Sequence, residues 1–484
     1  MSRLIAMRQR RLSKIATLVV AMGAIATIAA TEAGFAETVP HADDDQRVAL
    51  WGSSVANGSG DETGLGGYAG HLKRLLAERG WELVNQSKGG DNTVTIAARF
   101  EPGADPEEST RYLTSVDPDY VVIGLSLGNE GIAQCQLGQA TGCTKSFAEA
   151  DAVFDQFASG LQRLIARARA AGVTPIIALP YARSDFWERE YALTRKMILL
   201  INSWDVPSVN TLGTVDDGQG RWARGLWSDP FHPNAAGHEE IAYAFVPSLF
   251  AALQAGKPTP QLAHTDGFAR MREGGIDAMT YEVDGTMRSF TLTFKIRPAE
   301  DGPIAQIQGQ LLNSEYSAVR RSYGAFEWDT ESIKLTPTDR FAASLSVSSG
   351  QLSYRSSDGD AISTSMSKSA AWHDVTLTHY AGRGETLLYV DGQHVGSIEE
   401  RLQPGTFLLG GTANTDLKDW MIHRSGMTGD EVRFLHDEHL LQASLEIYVP
   451  LSGQDPAANH AQSLSEVHID GTAVQFTPDS INRP

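Results

Sequence analysis

The sequence predicts two folded regions of different class: a three-layer α/β domain built on a parallel sheet, followed by an all-β sandwich. Three observations carry this. From residue 47 to about 255, short apolar runs alternate with segments of helical period. The stretch AGKPTPQLAH, 255–264, then interrupts the rhythm with two prolines and a glycine, the composition of a linker. Beyond it the apolar runs are short, rich in β-formers and often alternating.

Each element follows from its own residues. RVALW (47–51) reads as a buried strand, and GYAGHLKRLLAERG (67–80) as a helix that places Leu72, Leu75 and Leu76 on one face and stops at Gly80. ELVN (82–85), YVVIGLS (120–126) and TPIIALP (174–180) are further strands. FAEADAVFDQFASGLQRLIARARAAG (147–172) is a long amphipathic helix, with others expected through 186–203 and 235–253. Strands alternating with helices imply a parallel sheet covered on both faces, whose ligands sit at the carboxyl ends of the strands. In the second region SFTLTFKI, FAASLSVSS, QLSYRSS, DVTLTHY, TLLYV, HVGSI and LEIYVPL are the predicted strands, and Asp391-Gly392 between two of them marks a hairpin.

Length and composition bound what the chain does. Its 484 residues suggest two to three domains, and an apolar fraction of 42% with 20% charged residues excludes global disorder. The formal charge of −19 opposes nucleic acid and anionic membrane as partners. Two cysteines are too few for a disulfide framework or a four-cysteine zinc site.

Residues 1–36 have the layout of a secretory signal: Arg3, Arg8, Arg10, Arg11 and Lys14, then an apolar run over 15–30, then Gly34 and Ala36 before a cut at Glu37. A retained anchor is the alternative, and Arg10-Arg11 faintly suggests a twin-arginine signal. Removal takes away five basic residues and one acid and moves the charge to −23. The expected organisation is signal 1–36, α/β domain 40–255, linker 256–264 and sandwich 265–484. A secreted or periplasmic location follows, with no membrane association after cleavage. Cys135 and Cys143 would then form a local disulfide, free thiols being the alternative.

The chemistry concentrates at strand ends. Ser54 follows the first strand in a turn of small residues, where a nucleophile would be exposed. Far downstream, SDPFHPNAAGH places Asp229 and His232 three apart before a helix. A nucleophilic serine needs a base in hydrogen-bond reach and a third group to orient that base, and this loop holds both. The bland reading is a helix start with two surface residues. QSKGGDNT (86–93) offers Gly89 and Gly90, where a backbone amide can approach a substrate oxygen. LGNEG offers Asn129, whose amide suits an oxyanion.

Together these blocks resemble the SGNH (GDSL-type) hydrolase family. WGSSVANG resembles its first block, KGGDN its second, GLSLGNEG its third and DPFH its fifth, over residues 47–253. The resemblance implies a flavodoxin-like α/β fold, a triad of Ser54, His232 and Asp229, and an oxyanion hole from the Ser54 amide, the Gly90 amide and the Asn129 side chain. It implies no cofactor, and no cluster has convincing metal-ligand spacing. One departure stands out: where the family has Gly-Asp-Ser, this chain has Ser53 for the aspartate.

A competing motif is Gly124-Leu125-Ser126-Leu127-Gly128, which fits the nucleophile elbow of α/β-hydrolases, but no helix pattern follows it. His238 is either a second base or a helix residue near the site. Trp222 and Trp227 either stack on a sugar or pack the loop. Glu130 and Asp91 neighbour the oxyanion positions. Residues 286–449, with Trp372, the Asp391-Gly392 hairpin and a late Asp-Trp strand before a short helix, resemble the laminin-G-like, concanavalin-A-like sandwiches, which implies a jelly-roll. The expected activity is hydrolysis of a small acyl ester, acetyl foremost, on a carbohydrate, and the sandwich is either a glycan binder or a structural accessory that stabilises or spaces the enzyme. A lipid or aryl esterase and a catalytically dead glycan binder are the alternatives.

Overall fold

The computed structural model describes residues 46–102, 112–133, 147–323, 326–366 and 371–477. The expected leader and the expected Cys135–Cys143 bridge lie outside the described residues.

Five parallel strands form the first sheet: β1 (Arg47–Gly52), β2 (Glu82–Asn85), β3 (Tyr120–Gly124), β4 (Thr174–Ala178) and β5 (Ser208–Val209), in the order β2-β1-β3-β4-β5. β1 and β3 read as almost unbroken apolar runs because both faces of the sheet are covered. The helices Gly67–Ala77 and Ala235–Tyr243 pack on one another, while Phe147–Ala170 packs on Thr93–Arg99 and Glu188–Asn202. The strand order reverses between β1 and β3, so the crevice of the sheet opens at their carboxyl ends. Gly52 ends β1 there; a Cβ on it would lie 2.5 Å from Gly124 O of β3, so only glycine lets the two strands close at this point.

The helix expected over 235–253 is two helices, Ala235–Tyr243 and Leu249–Gln254. Pro247 lies between them and cannot donate the backbone hydrogen bond that a continuous helix needs. β5, the short helices Thr93–Arg99 and Leu113–Val116, and the small hairpin before the last helices had no periodic signal strong enough to reveal them.

The second region is a sandwich of two antiparallel sheets. One runs Gln393–Glu399, Glu385–Val390, His373–Tyr380, Phe290–Arg297, Asp416–His423, Phe268–Met271, Val474–Thr477, with Leu445–Val449 also on Asp416–His423. The other runs Ala361–Ser365, Gln351–Arg355, Phe326–Ser348, Gly302–Tyr323, Leu402–Gly411, Gly275–Glu282, His468–Ile469. Phe294, Trp420, Tyr281 and Phe407 are buried between them. Asp391 and Gly392 form the expected two-residue turn, both with positive φ (50° and 72°), which matches the twist of the flanking strands.

The two regions share a polar, buried seam. The edge of β5 is covered by the sandwich: Ser444 N donates to Ser208 O at 3.1 Å, and Asn210 N donates to Ser444 Oγ at 2.8 Å. Arg288 pairs with Glu239 and Glu240. Glu431, at the start of helix Gly429–His436, accepts from Asn210 Nδ2 at 2.7 Å, and burial pushes its carboxyl up to about 7.

Candidate active site

The site assembles from loops at the carboxyl end of the sheet. The Asp229/His232 segment explains itself locally. β6 (Trp227–Asp229) and β7 (His232–Pro233) are antiparallel, with Asp229 paired to His232 across the two-residue turn Pro230-Phe231. Proline suits the second position of such a turn, and Asp229 Oδ1 closes it by accepting from Phe231 N at 2.8 Å and His232 N at 3.1 Å. The same carboxylate meets His232 Nδ1 at 2.9 Å (Oδ1) and 2.7 Å (Oδ2). Burial opposes the ionised form of Asp229, but its hydrogen bonds to His232 and the turn amides prevail, so its pKa lies below the usual carboxylate value.

A carboxylate can only accept, so Nδ1 carries the proton and Nε2 is the free acceptor. Nε2 lies 2.8 Å from Ser54 Oγ. Residues 178 positions apart in the chain are thus joined in one serine–histidine–aspartate array. Ser126 lies elsewhere. It is fully buried, and its Oγ donates to Asn129 Oδ1 at 3.1 Å. The nucleophile-elbow motif is therefore a packing feature.

Asn129 is held by its oxygen. Oδ1 accepts from Ser53 Oγ at 3.2 Å, Ser126 N at 3.0 Å, Ser126 Oγ at 3.1 Å and Tyr181 OH at 3.4 Å. Four donors on one oxygen assign the amide orientation and leave Nδ2 as the group not engaged in this cluster. Ser53 also meets Tyr181 OH at 3.2 Å, so the residue that departs from the family's Gly-Asp-Ser is a buried strut of this cluster. Gly90 is exposed at φ 82°, a conformation that favours glycine, and the Cβ position of neighbouring Gly89 is 4.0 Å from Ser54 Cβ. Among the described residues none accepts a hydrogen bond from the Ser54 amide, the Gly90 amide or Asn129 Nδ2. If Nδ2 binds the oxyanion, Asn129→Ala is expected to lower kcat on an acetyl ester by about 10²–10³-fold with little change in KM. Initial-rate kinetics check this, and a loss of only a few-fold would remove Asn129 from the oxyanion hole.

Residues 50–240 match the model of the GDSL-like lipase/acylhydrolase family. This segment is a GDSL-like acylhydrolase domain, a serine ester hydrolase. Among solved structures, the acylhydrolase domain is similar to the psychrotrophic esterase EstA from Pseudoalteromonas (16% identity, covering 41% of this chain and 94% of that one, TM-score 0.30). A two-domain esterase active on acetylated mannans, crystallised with mannopentaose, covers 76% of this chain and 92% of its own at 10% identity and TM-score 0.28. The SAP-like pentraxin of Limulus polyphemus matches 37% of this chain and 79% of its own at 13% identity and TM-score 0.21. No curated protein matches the chain.

The remaining candidates of the acylhydrolase domain are structural. His238 is buried, accepts from Tyr68 N at 3.2 Å and donates to Ser59 O at 3.0 Å; burial lowers its pKa to about 4, so it is a neutral strut under the Ser54 loop. Trp222 is buried, stacks on Tyr181 with centroids 5.8 Å apart and donates to Pro230 O at 3.2 Å. Trp227 is partly buried against the core. Glu130 takes the Thr93 amide at 2.6 Å, and Asp91 pairs with Arg99 in the interior.

One residue had no sequence signal. Arg183, after β4, stacks over Phe231 at 4.7 Å, is held by Asp185 through two bonds of 2.8 Å, and would lie 2.2 Å from a Cβ on Gly128. It therefore bridges the Asn129 loop and the His232 turn. Its only advance hint was position, just past a strand end.

Proposed function

We propose that the protein is an exported serine esterase that removes short acyl groups, acetyl foremost, from carbohydrate hydroxyls. The observation that carries the ester chemistry is the continuous hydrogen-bonded line Asp229–His232–Ser54. Ser54 Oγ attacks the ester carbonyl while His232 Nε2 takes its proton, and the new oxyanion receives hydrogen bonds from the Ser54 and Gly90 amides and Asn129 Nδ2. As the C–O bond breaks, His232 returns the proton to the departing alcohol. Water then repeats the sequence on the acyl-enzyme and releases the acid. Asp229 holds the Nδ1–H tautomer and stabilises the imidazolium in both halves. This ordered array speaks against a dead hydrolase retained only for binding.

The short acyl group is favoured by the surroundings of Ser54. Ser53, Ser126, Asn129 and Tyr181 are polar, mutually bonded and largely buried, which suits a small group better than a long apolar chain. The carbohydrate part is favoured by tryptophans at the margin. Trp187, 55% exposed, ends the loop whose Ser184 amide binds Pro230 O, and Trp328 of the sandwich is half-buried beside β6. The leader-like residues 1–36 support export.

Rates on acetylated oligosaccharides, set beside aryl esters of two to twelve carbons, test the reading. The expected result is turnover of the acetylated glycan and a fall of about tenfold or more between acetyl and octanoyl esters, since misfitted methylenes carry penalties of this order. A preference for long chains would replace it with a lipid esterase.

A further inference from the structure

The antiparallel arms Gly302–Tyr323 and Phe326–Ser348 are 22 and 23 residues long, whereas ordinary strands have roughly five to six. Their own sheet uses only the near ends: Leu402–Gly411 pairs with Ala305–Leu311, and Gln351–Arg355 pairs with Ser344–Ser348. Past a register shift at Gln310–Leu312, opposite Pro337–Arg340, the ribbon leaves the sandwich and lies along the segment that leads to Asp229.

The contacts run in order. Ile333 N donates to Gly225 O at 3.0 Å, Thr330 Oγ1 lies 3.4 Å from Trp227 O, and Trp328 Nε1 donates to Ser228 O at 2.9 Å. Trp328 thus sits against the residue that precedes Asp229. Directly across the ribbon, Arg321 is in register with Trp328 and reaches Glu62 Oε1 at 3.3 Å. Glu62 Oε2 in turn accepts the Ala235 amide at 2.9 Å. One carboxylate therefore ties the ribbon both to the loop after Ser54 and to the helix start after His232. Ile333 is buried in the α/β core, so the ribbon is fixed in this position.

Backbone pairing and Ile333 hold the ribbon without any large side chain at 328. Yet the end nearest Asp229 carries an indole whose N–H is anchored and whose ring is half-buried. Such a ring is a rigid apolar face with a preset orientation, the partner that the C–H face of a pyranose requires. We propose that the sandwich supplies one wall of the ester cleft through this ribbon, and that Trp328 is the stacking platform for a sugar ring in the alcohol part of the substrate. The proposal rests on the carbohydrate reading above and adds to it the residue and the domain that recognise the sugar.

The test uses the full chain with Trp328→Ala and Trp328→Phe, each assayed on an acetylated oligosaccharide and on p-nitrophenyl acetate, with a thermal melt as a fold control. The alanine variant is expected to raise KM for the oligosaccharide about tenfold, the scale of one lost aromatic contact, and to leave p-nitrophenyl acetate within about twofold. Phenylalanine, which keeps a ring, is expected to recover most of the loss. Equal losses on both substrates would make Trp328 a support of the Asp229 turn and overturn the platform. Unchanged kinetics on both, or a phenylalanine variant as impaired as alanine, would overturn it too. A wild-type protein that cleaves p-nitrophenyl acetate but no acetylated glycan would sink the carbohydrate reading itself, an outcome visible before any variant is made.

Discussion

Ser54→Ala is expected to lower kcat for ester hydrolysis by about 10⁴–10⁶-fold, the range over which loss of a triad serine acts. No neighbouring group can take its place. Ser53 and Ser126 are fully buried and both donate to Asn129 Oδ1, and neither is bonded to His232. Labelling by a fluorophosphonate should vanish in the same variant. Ser126→Ala is the contrast: it removes one of four donors on Asn129 and is expected to cost only a few-fold, with labelling retained. Persistence of activity in Ser54→Ala together with loss in Ser126→Ala would move the nucleophile to the other motif.

Asp229→Asn is expected to cost about 10⁴-fold in kcat with the fold intact, because the effect acts through the tautomer. An asparagine oxygen can still accept from Phe231 N and His232 N, so the turn persists. Its NH₂, however, donates to Nδ1 and drives the ring proton to Nε2, where it faces Ser54 and blocks proton abstraction. The pH dependence of stability gives a second readout. The native pKa of Asp229 is depressed, so its stabilisation is present above the unfolded value of about 4 and is lost as pH falls through the lower native value. Melting temperatures of the wild type and Asp229→Asn should therefore converge on acidification below about pH 4. A loss of kcat below about tenfold at neutral pH would contradict the assigned role.

How much of this was legible depends on the range of the interactions involved. The Asp229/His232 pair was legible because four consecutive residues, Asp-Pro-Phe-His, fold on themselves: proline presets the turn and the aspartate closes it. β1, β3 and β4 were legible because burial on both faces demands continuous apolar runs. The hub on Asn129 was not, since Ser53, Ser126 and Tyr181 come from three loops and serine is common in loops. Arg183 was missed for a similar reason: its neighbour Phe231 lies on another loop of the same sheet edge. Trp222 shows the opposite case, an aromatic near the triad in sequence that the fold places in packing against Tyr181.

The ribbon marks the limit most clearly. Its arms carry polar residues, two prolines and two part-exposed faces, so no period of two stands out over their length. The sequence by itself determined the α/β and all-β classes and pointed to the strand-end loops that carry Ser54, Asp229 and His232, because hydrophobic period and turn chemistry act within a few residues. Only the tertiary structure decided that Ser54 meets His232, that Ser53 and Tyr181 hold the Asn129 oxygen, and that a strand of the second region lies beside the first region's histidine turn. Those contacts join residues some 52 to 178 positions apart, and packing of the whole core, with no local rule, sets their geometry.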